Sequence, residues 1–258
     1  MQPRPIFVRG RPLAGGRLPA VCAPLVARTR SDLAAEAAAV AALQPDLIEW
    51  RVDFFSRIDY TAEVLAEARE IRSAAGAIPL LFTRRSRREG GQPIALEEEQ
   101  VVALYGEVAA TGAVDAMDFE MGNDAAHVAR VRALTREHGL ALVLSFHDFQ
   151  RTPEDAELDA RFSQAHALEA DVAKVAVMPQ GVADVHRLLG ATLRAGERLP
   201  IPVISMSMGG LGAVTRLAGG AFGSALTFAV GSAPSAPGQV PIADVRAAIA
   251  VLQRATSG

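Results

Sequence analysis

Residues 140–177 read LALVLSFHDFQRTPEDAELDARFSQAHALEADVAKVAV, and the fold can be built outward from them. Two short apolar runs, LALVLSF from Leu140 and VAKVAV from Val172, flank the segment TPEDAELDARFSQAHALEA. Pro153 lies near the start of that segment, where a helix tolerates a missing N–H, so it reads as a helical crossover. The flanking runs are near-continuously apolar rather than alternating, as strands covered on both faces should be. Strand, helix and strand together make one βαβ unit.

The same interval recurs on both sides. VCAPLV from Val21, DLIEWRV from Asp46, IPLLFT from Ile78 and VDAMDFE from Val114 come before it, and IPVISMS from Ile201 and ALTFAV from Ala225 come after. Successive runs start 24 to 36 residues apart, close to one βα unit of roughly 30 residues. Helical segments fill the gaps. SDLAAEAAAVAAL is Ala-rich, has Ser31 as a candidate N-cap and stops before Pro45. LEEEQVVALYGEVAA carries its acidic cluster in the first turn, where it complements the helix dipole. Eight strands alternating with helices predict a (β/α)8 TIM barrel, one domain over residues 1–258. A doubly wound open sheet is the rival, but no G-x-G-x-x-G follows the first strand. Ahead of Val21, PIFVRGRPLAGGRLP predicts two short strands around Gly15-Gly16, an N-terminal β-hairpin within residues 1–19 that caps one barrel mouth.

Composition narrows the function classes. The chain has 258 residues, half of them hydrophobic, and a formal net charge of -3. That balance argues against nucleic acid or an anionic membrane as a partner. A single cysteine, Cys22, allows no intrachain disulfide and fits a reducing compartment. No apolar run reaches the roughly 18 residues of a membrane span, and MQPRPIFVRGRP lacks an apolar signal core. The expectation is a soluble, cytoplasmic protein.

Of the 26 Lys and Arg residues, 25 are arginine, and the one lysine, Lys174, falls inside a buried-strand sequence. An unpaired ammonium there is costly. Arg stays protonated in proteins, whereas a desolvated Lys can lose its proton and become a nucleophilic amine. A lysine at this place could equally snorkel to water or pair with a carboxylate.

A (β/α)8 barrel places its active site at the C-terminal ends of its strands. Glu49, Arg51 and Asp53 fall at or just after the second strand's end, Arg84, Arg85 and Glu89 after the third, and Asp118 and Glu120 at the fourth. His147 ends the fifth strand and Lys174 lies on the sixth, while Arg216 follows the seventh and Ser235 and Gln239 the eighth. Each has an ordinary reading: His147 as a satisfied core histidine, TRRSRRE as a solvated basic loop, the glycines as turns. Their convergence on one rim suggests a chemistry. An amine forms an imine with a ketone, and the protonated imine is an electron sink. A histidine moves a proton at the adjacent carbon, and arginine forks hold a carboxylate. Asp118 and Glu120 could instead bind a metal, but no His-rich ligand set accompanies them.

These stretches resemble the type I 3-dehydroquinate dehydratase (3-dehydroquinase) family. The matching segments are EWRVD, LLFTRRSRREGG, DFE, SFHDF, KVAVMPQ, ISMSMGGLGAVTRLAGGAFGSALTF and SAPGQVPI, spanning about residues 20 to 242. The resemblance implies a (β/α)8 barrel, usually a homodimer, that uses neither metal nor organic cofactor. It implies a lyase that removes water from 3-dehydroquinate to give 3-dehydroshikimate in the shikimate pathway of aromatic amino acid biosynthesis. Carried over residue by residue, it makes Lys174 the imine-forming amine, His147 the general acid/base and Glu89 the acid that orients that histidine. Arg216 becomes the carboxylate clamp, and Glu49, Arg51, Arg85, Ser235 and Gln239 the remaining substrate contacts. Pro24, Arg84 and Gly220 depart from the family pattern. Two other functions stay in view: a class I (Schiff-base) aldolase using SMGGLG for a sugar phosphate, and a non-catalytic ligand-binding barrel. Residues 83–93 and 233–241 are the candidate lids.

Overall fold

The computed structural model describes residues 3–256; the outer ends of the expected 1–258 unit lie outside the described residues. Eight parallel strands form a nearly closed barrel. They are β3 (Ala20–Leu25), β4 (Leu47–Arg51), β5 (Leu80–Thr83), β6 (Ala116–Glu120), β7 (Ala141–Asp148), β8 (Val172–Val177), β9 (Val203–Ser207) and β10 (Leu226–Phe228). After each comes a helix: α1 (Arg30–Ala42), α2 (Thr61–Ala75), α3 (Glu98–Ala110), α4 (Ala125–Glu137), α5 (Asp155–Ala167), α6 (Val182–Arg198), α7 (Ala213–Ala218) and α8 (Ile242–Thr256). Neighbours pair in chain order, and β10 returns to β3. The β9–β10 seam is thinner: Val203 bridges Ser224, whose hydroxyl accepts from the Ser205 amide at 3.1 Å and donates to the Leu226 carbonyl at 3.1 Å.

Strand alternation sorts the side chains. Outward residues such as Ile48, Trp50, Phe82, Met117 and Phe119 join the helices in the larger core, and Trp50, Phe82, Tyr105 and Phe119 form an edge-to-face chain. Inward residues Leu47, Leu81, Ala116, Val143, Ile204 and Leu226 fill the N-terminal half of the bore. One step higher the inward positions turn polar: Glu49 on β4, Asp118 on β6, Ser145 on β7 and Lys174 on β8 are all buried. Both faces of the sheet are therefore covered, as the apolar runs require, but one half of its inner face is built from charge.

Two local expectations are corrected. The hairpin is present, as β1 (Phe7–Val8) antiparallel to β2 (Arg11–Pro12), but its loop is Arg9-Gly10. Both loop residues have positive φ, 49° and 73°, as a type I′ connection requires. Gly15 and Gly16 instead belong to a short 3₁₀ turn, Leu13–Gly16, after the hairpin. Ile6, Val8 and Leu13 plug the N-terminal mouth, and an apolar cavity separates that plug from Lys174. The second correction concerns α1, whose N-cap is Thr29 and not Ser31. Thr29 has the extended backbone a cap needs, φ −111° and ψ 160°, and accepts from the Asp32 amide, whereas Ser31 is already inside the helix.

Candidate active site

At the C-terminal mouth one cavity is lined by Glu49, Arg51, Arg85, Glu89, His147, Lys174, Ser235 and Gln239. Eight of the nine residues singled out in the sequence thus meet in one place. The ninth, Arg216, sits directly behind the wall, with Nη1 3.8 Å from the sulfur of Met206 and 3.3 Å from the carbonyl of Phe228; both of those residues line the cavity.

Lys174 is only 4% exposed. Its Nζ donates to Asp118 Oδ2 at 2.8 Å, lies 3.8 Å from Glu49 Oε1 and sits 4.4 Å from the centre of the Phe228 ring. The lysine neither snorkels to water nor stands alone. Asp118 uses its other oxygen to accept from Arg85 Nη2 and Ser145 Oγ, both at 2.6 Å. Burial alone would raise the Asp118 carboxyl, but Arg85 and Lys174 outweigh it and hold the group far below the usual carboxylate range. Arg85 also reaches Glu120 Oε1 at 3.2 Å, and the same oxygen accepts from the Ser86 amide at 2.6 Å. Asp118 and Glu120 are therefore engaged by cations and amides, and no group of three or more metal-ligating side chains occurs among the described residues.

His147 Nδ1 lies 2.8 Å from Glu89 Oε2, which also accepts from the His147 amide at 3.1 Å. With Nδ1 on Glu89, the second ring nitrogen, Nε2, is left for proton transfer. Burial pushes Glu89 up to about 8 and pushes His147 well below its ordinary value, the latter helped by the nearby cations Arg85 and Lys174. Burial thus favours the uncharged form of both partners. Of the other histidines, His127 pairs with Glu99 at 3.1 Å, and His138, His166 and His186 are exposed.

The arginines divide into two kinds. Arg51 is already clamped by Asp53 through two 2.8 Å bonds, which fix its guanidinium at the rim. Arg216, 1% exposed, has no carboxylate partner: its bonds go to the backbone carbonyls of Phe228 and Pro237, at 3.3 and 3.0 Å. Burial without an anion pushes it down to about 10. A buried guanidinium held by two carbonyls and a thioether, with no anion beside it, is suited to receive a ligand carboxylate.

Two loops border the cavity, and both are anchored. In residues 83–93 the amides of Arg85 and Gln92 donate to Asp53, and a side chain on Gly91 would lie 1.9 Å from the Arg85 carbonyl, so this segment is packed in place. The 233–241 segment reaches over the cavity with Ser235 and Gln239, whose side chains bond each other at 3.1 Å. There the Pro237 carbonyl accepts from Arg216 Nη2 at 3.0 Å, and a Cβ on Gly238 would fall 2.3 Å from the Gly209 carbonyl. The three departures from the family pattern lie off the cavity. Pro24 is buried on β3 opposite Glu49. Arg84 turns outward to Glu98 at 3.0 Å. Gly220 packs on Pro19, where a Cβ would fall 2.5 Å from the ring.

Sequence reasoning did not reach the lining residues Met206, Met208, Phe228, Ala176 and Phe149. Strand alternation from Lys174 and Leu226 marks Ala176 and Phe228 as inward, which is the one signal that could have found them.

A barrel with a buried lysine, a histidine–carboxylate pair and an anion-ready arginine at its C-terminal mouth defines the class of imine-forming barrel enzymes. The family model for type I 3-dehydroquinase matches residues 21–256. A 3-dehydroquinate dehydratase from Albidiferax ferrireducens is 54% identical over 252 residues, covering 98% of this chain and 96% of that one. One from Geobacillus thermodenitrificans is 51% identical over 240 residues, 93% of each chain. The crystal structure of 3-dehydroquinate dehydratase from Geobacillus kaustophilus superimposes with a TM-score of 0.94 at 49% identity, covering 98% of both chains. The chain belongs to the type I 3-dehydroquinase family.

Proposed function

We propose that Lys174, His147 and Glu89 carry out the reaction of this family in this chain: the Schiff-base elimination of water from 3-dehydroquinate to give 3-dehydroshikimate. The activity is that of a hydro-lyase. Lys174 Nζ condenses with the ring ketone, releasing one water and leaving a protonated imine. His147 Nε2 removes a proton from the adjacent carbon, and the electron pair moves into the imine to give an enamine. The enamine expels the β-hydroxyl, which takes that proton from His147 and leaves as water. Hydrolysis of the imine then frees the product and restores the amine. Arg216 holds the substrate carboxylate as a fork, while Glu49, Arg51, Arg85, Ser235 and Gln239 bind the hydroxyls and ketone.

The observation that carries this reading is the chain's single lysine, buried on the floor of a cavity that its histidine and arginines share. The test is borohydride added with substrate. Turnover should be lost and one ligand mass should appear on the peptide containing Lys174. A modified peptide without Lys174, or activity that survives reduction, overturns the imine.

The chain is further proposed to be one barrel domain that works in the cytoplasm as a homodimer. No helix among the described residues is long and apolar enough to cross a membrane. The family resemblance supports the dimer, and light scattering on the purified protein checks it: a monomer mass at assay concentration removes it.

A further inference from the structure

The imine reading uses the buried lysine, but its strongest partner, Asp118, takes no part in that scheme. Asp118 is 0% exposed and does not line the cavity. Both of its oxygens are already taken by protein donors, so a bound substrate meets Lys174 without touching Asp118. Of its two oxygens, one is saturated by Arg85 and Ser145 at 2.6 Å and the other faces Nζ at 2.8 Å.

We propose that Asp118 is the fixed counter-ion of the Lys174 imine, the group that keeps the imine nitrogen protonated through the elimination. The inference rests on the imine chemistry proposed above. Condensation converts an ammonium and a ketone into a protonated imine and water, so the nitrogen carries one positive charge both before and after. An anion fixed at 2.8 Å from that nitrogen serves both states without moving. A protonated imine retains one N–H, and Asp118 Oδ2 is positioned to accept it.

The surroundings leave few other candidates for this role. The charged and titratable groups around Nζ are Asp118 on β6, Glu49 on β4, Arg85 after β5, His147 on β7 and Cys22 on β3. Arg85 is a cation, His147 moves the substrate proton and Cys22 is a buried thiol pushed up by burial. Glu49 is 3.8 Å away, accepts from Thr83 Oγ1 at 2.9 Å and faces the substrate. On the opposite side Lys174 borders the apolar cavity above the hairpin plug. A cation placed there without a counter-ion would bear the full cost of burial. Because Arg85 and Lys174 keep Asp118 ionised, it acts as a fixed charge and not as a base. The proton that the ammonium must shed to attack the ketone therefore goes to a cavity-facing group, Glu49 or His147.

The test is cyanoborohydride trapping, because this reagent reduces protonated imines in preference to neutral ones. Wild-type protein with 3-dehydroquinate is titrated with pH beside the imine that the same ketone forms with butylamine in solution. The enzyme adduct should keep forming at least about one pH unit above the point at which trapping of the solution imine fails. Loss of both at the same pH overturns the proposal without recourse to a variant. Asp118→Asn supplies the second arm. Removal of one preorganised electrostatic group lowers kcat by about 10²- to 10³-fold, with a smaller change in KM, since Asp118 does not touch substrate. Its trapping limit should also move to lower pH. A folded Asp118→Asn with wild-type kcat and an unshifted trapping limit overturns the counter-ion while leaving the imine intact. No adduct on Lys174 in the wild type overturns both.

Discussion

At the scale of single residues, the contrast between Lys174 and Arg216 is one of amine against fork. Lys174→Arg exchanges the one lysine for the cation used everywhere else in the chain and keeps the pairing with Asp118 within reach. The variant should fold but show no detectable dehydration, because a guanidinium offers no free amine. Thermal unfolding and turnover measured on one preparation check this, and a folded variant with substantial activity would falsify the nucleophile. Arg216→Lys should act differently. It retains the charge and loses the fork, so the expected result is a raised KM with kcat little changed; an unaltered KM removes the clamp. The nine site residues were legible because each combines an unusual chemistry with a strand-end position, or matches the family pattern. Asp118 was visible only as one of two carboxylates. Alternation shows that it faces inward, but which cation it meets depends on the barrel's curvature, and that brings β8 and the loop after β5 to it.

At the scale of elements, hydrogen bonding at helix and hairpin ends decided what the sequence could reveal. The strand–helix order was readable because its period is set by burial, which repeats eight times. Caps and turns depend on one or two backbone angles each. Thr29 and Ser31 both carry a hydroxyl near the start of α1, and only the extended backbone at Thr29 distinguishes them. Thr29→Ala should cost about 1 kcal/mol of stability, while Ser31→Ala, at an exposed helical position, should stay within about 0.5 kcal/mol. Denaturant midpoints of the two variants check the assignment, and equal losses would refute it. The hairpin escaped for a related reason. Arg-Gly is a weaker turn signal than Gly-Gly, yet its two residues hold the left-handed angles that join β1 to β2.

At the scale of the whole molecule, the His147–Glu89 pair makes stability depend on pH. Glu89 rises from its ordinary 4.5 to about 8 on folding, so its contribution is complete below about pH 4.5 and is lost as pH rises toward 8. His147 is depressed from its ordinary 6.5, so its contribution is present above pH 6.5 and is lost as pH falls. Between about 4.5 and 6.5 the two slopes oppose each other; between 6.5 and 8 only the Glu89 slope acts. The wild type should therefore lose stability over that upper interval, by at most about 1.4 kcal/mol per pH unit. Glu89→Gln, which cannot ionise, should abolish that loss and expose a fall below pH 6.5 that is due to His147. Urea titrations across the range check it, and an unchanged upper slope in Glu89→Gln counts against the assignment. The same molecule is mechanically uneven along its axis. The C-terminal half of the bore is lined by hydrogen-bonded charge around the open cavity, whereas an apolar void remains between the hairpin plug and Lys174. Voids are what compression removes, because states that let water fill them occupy less volume. Hydrostatic pressure should therefore bear on the plugged end too, where Ile6, Val8 and Leu13 close the void beneath the lysine.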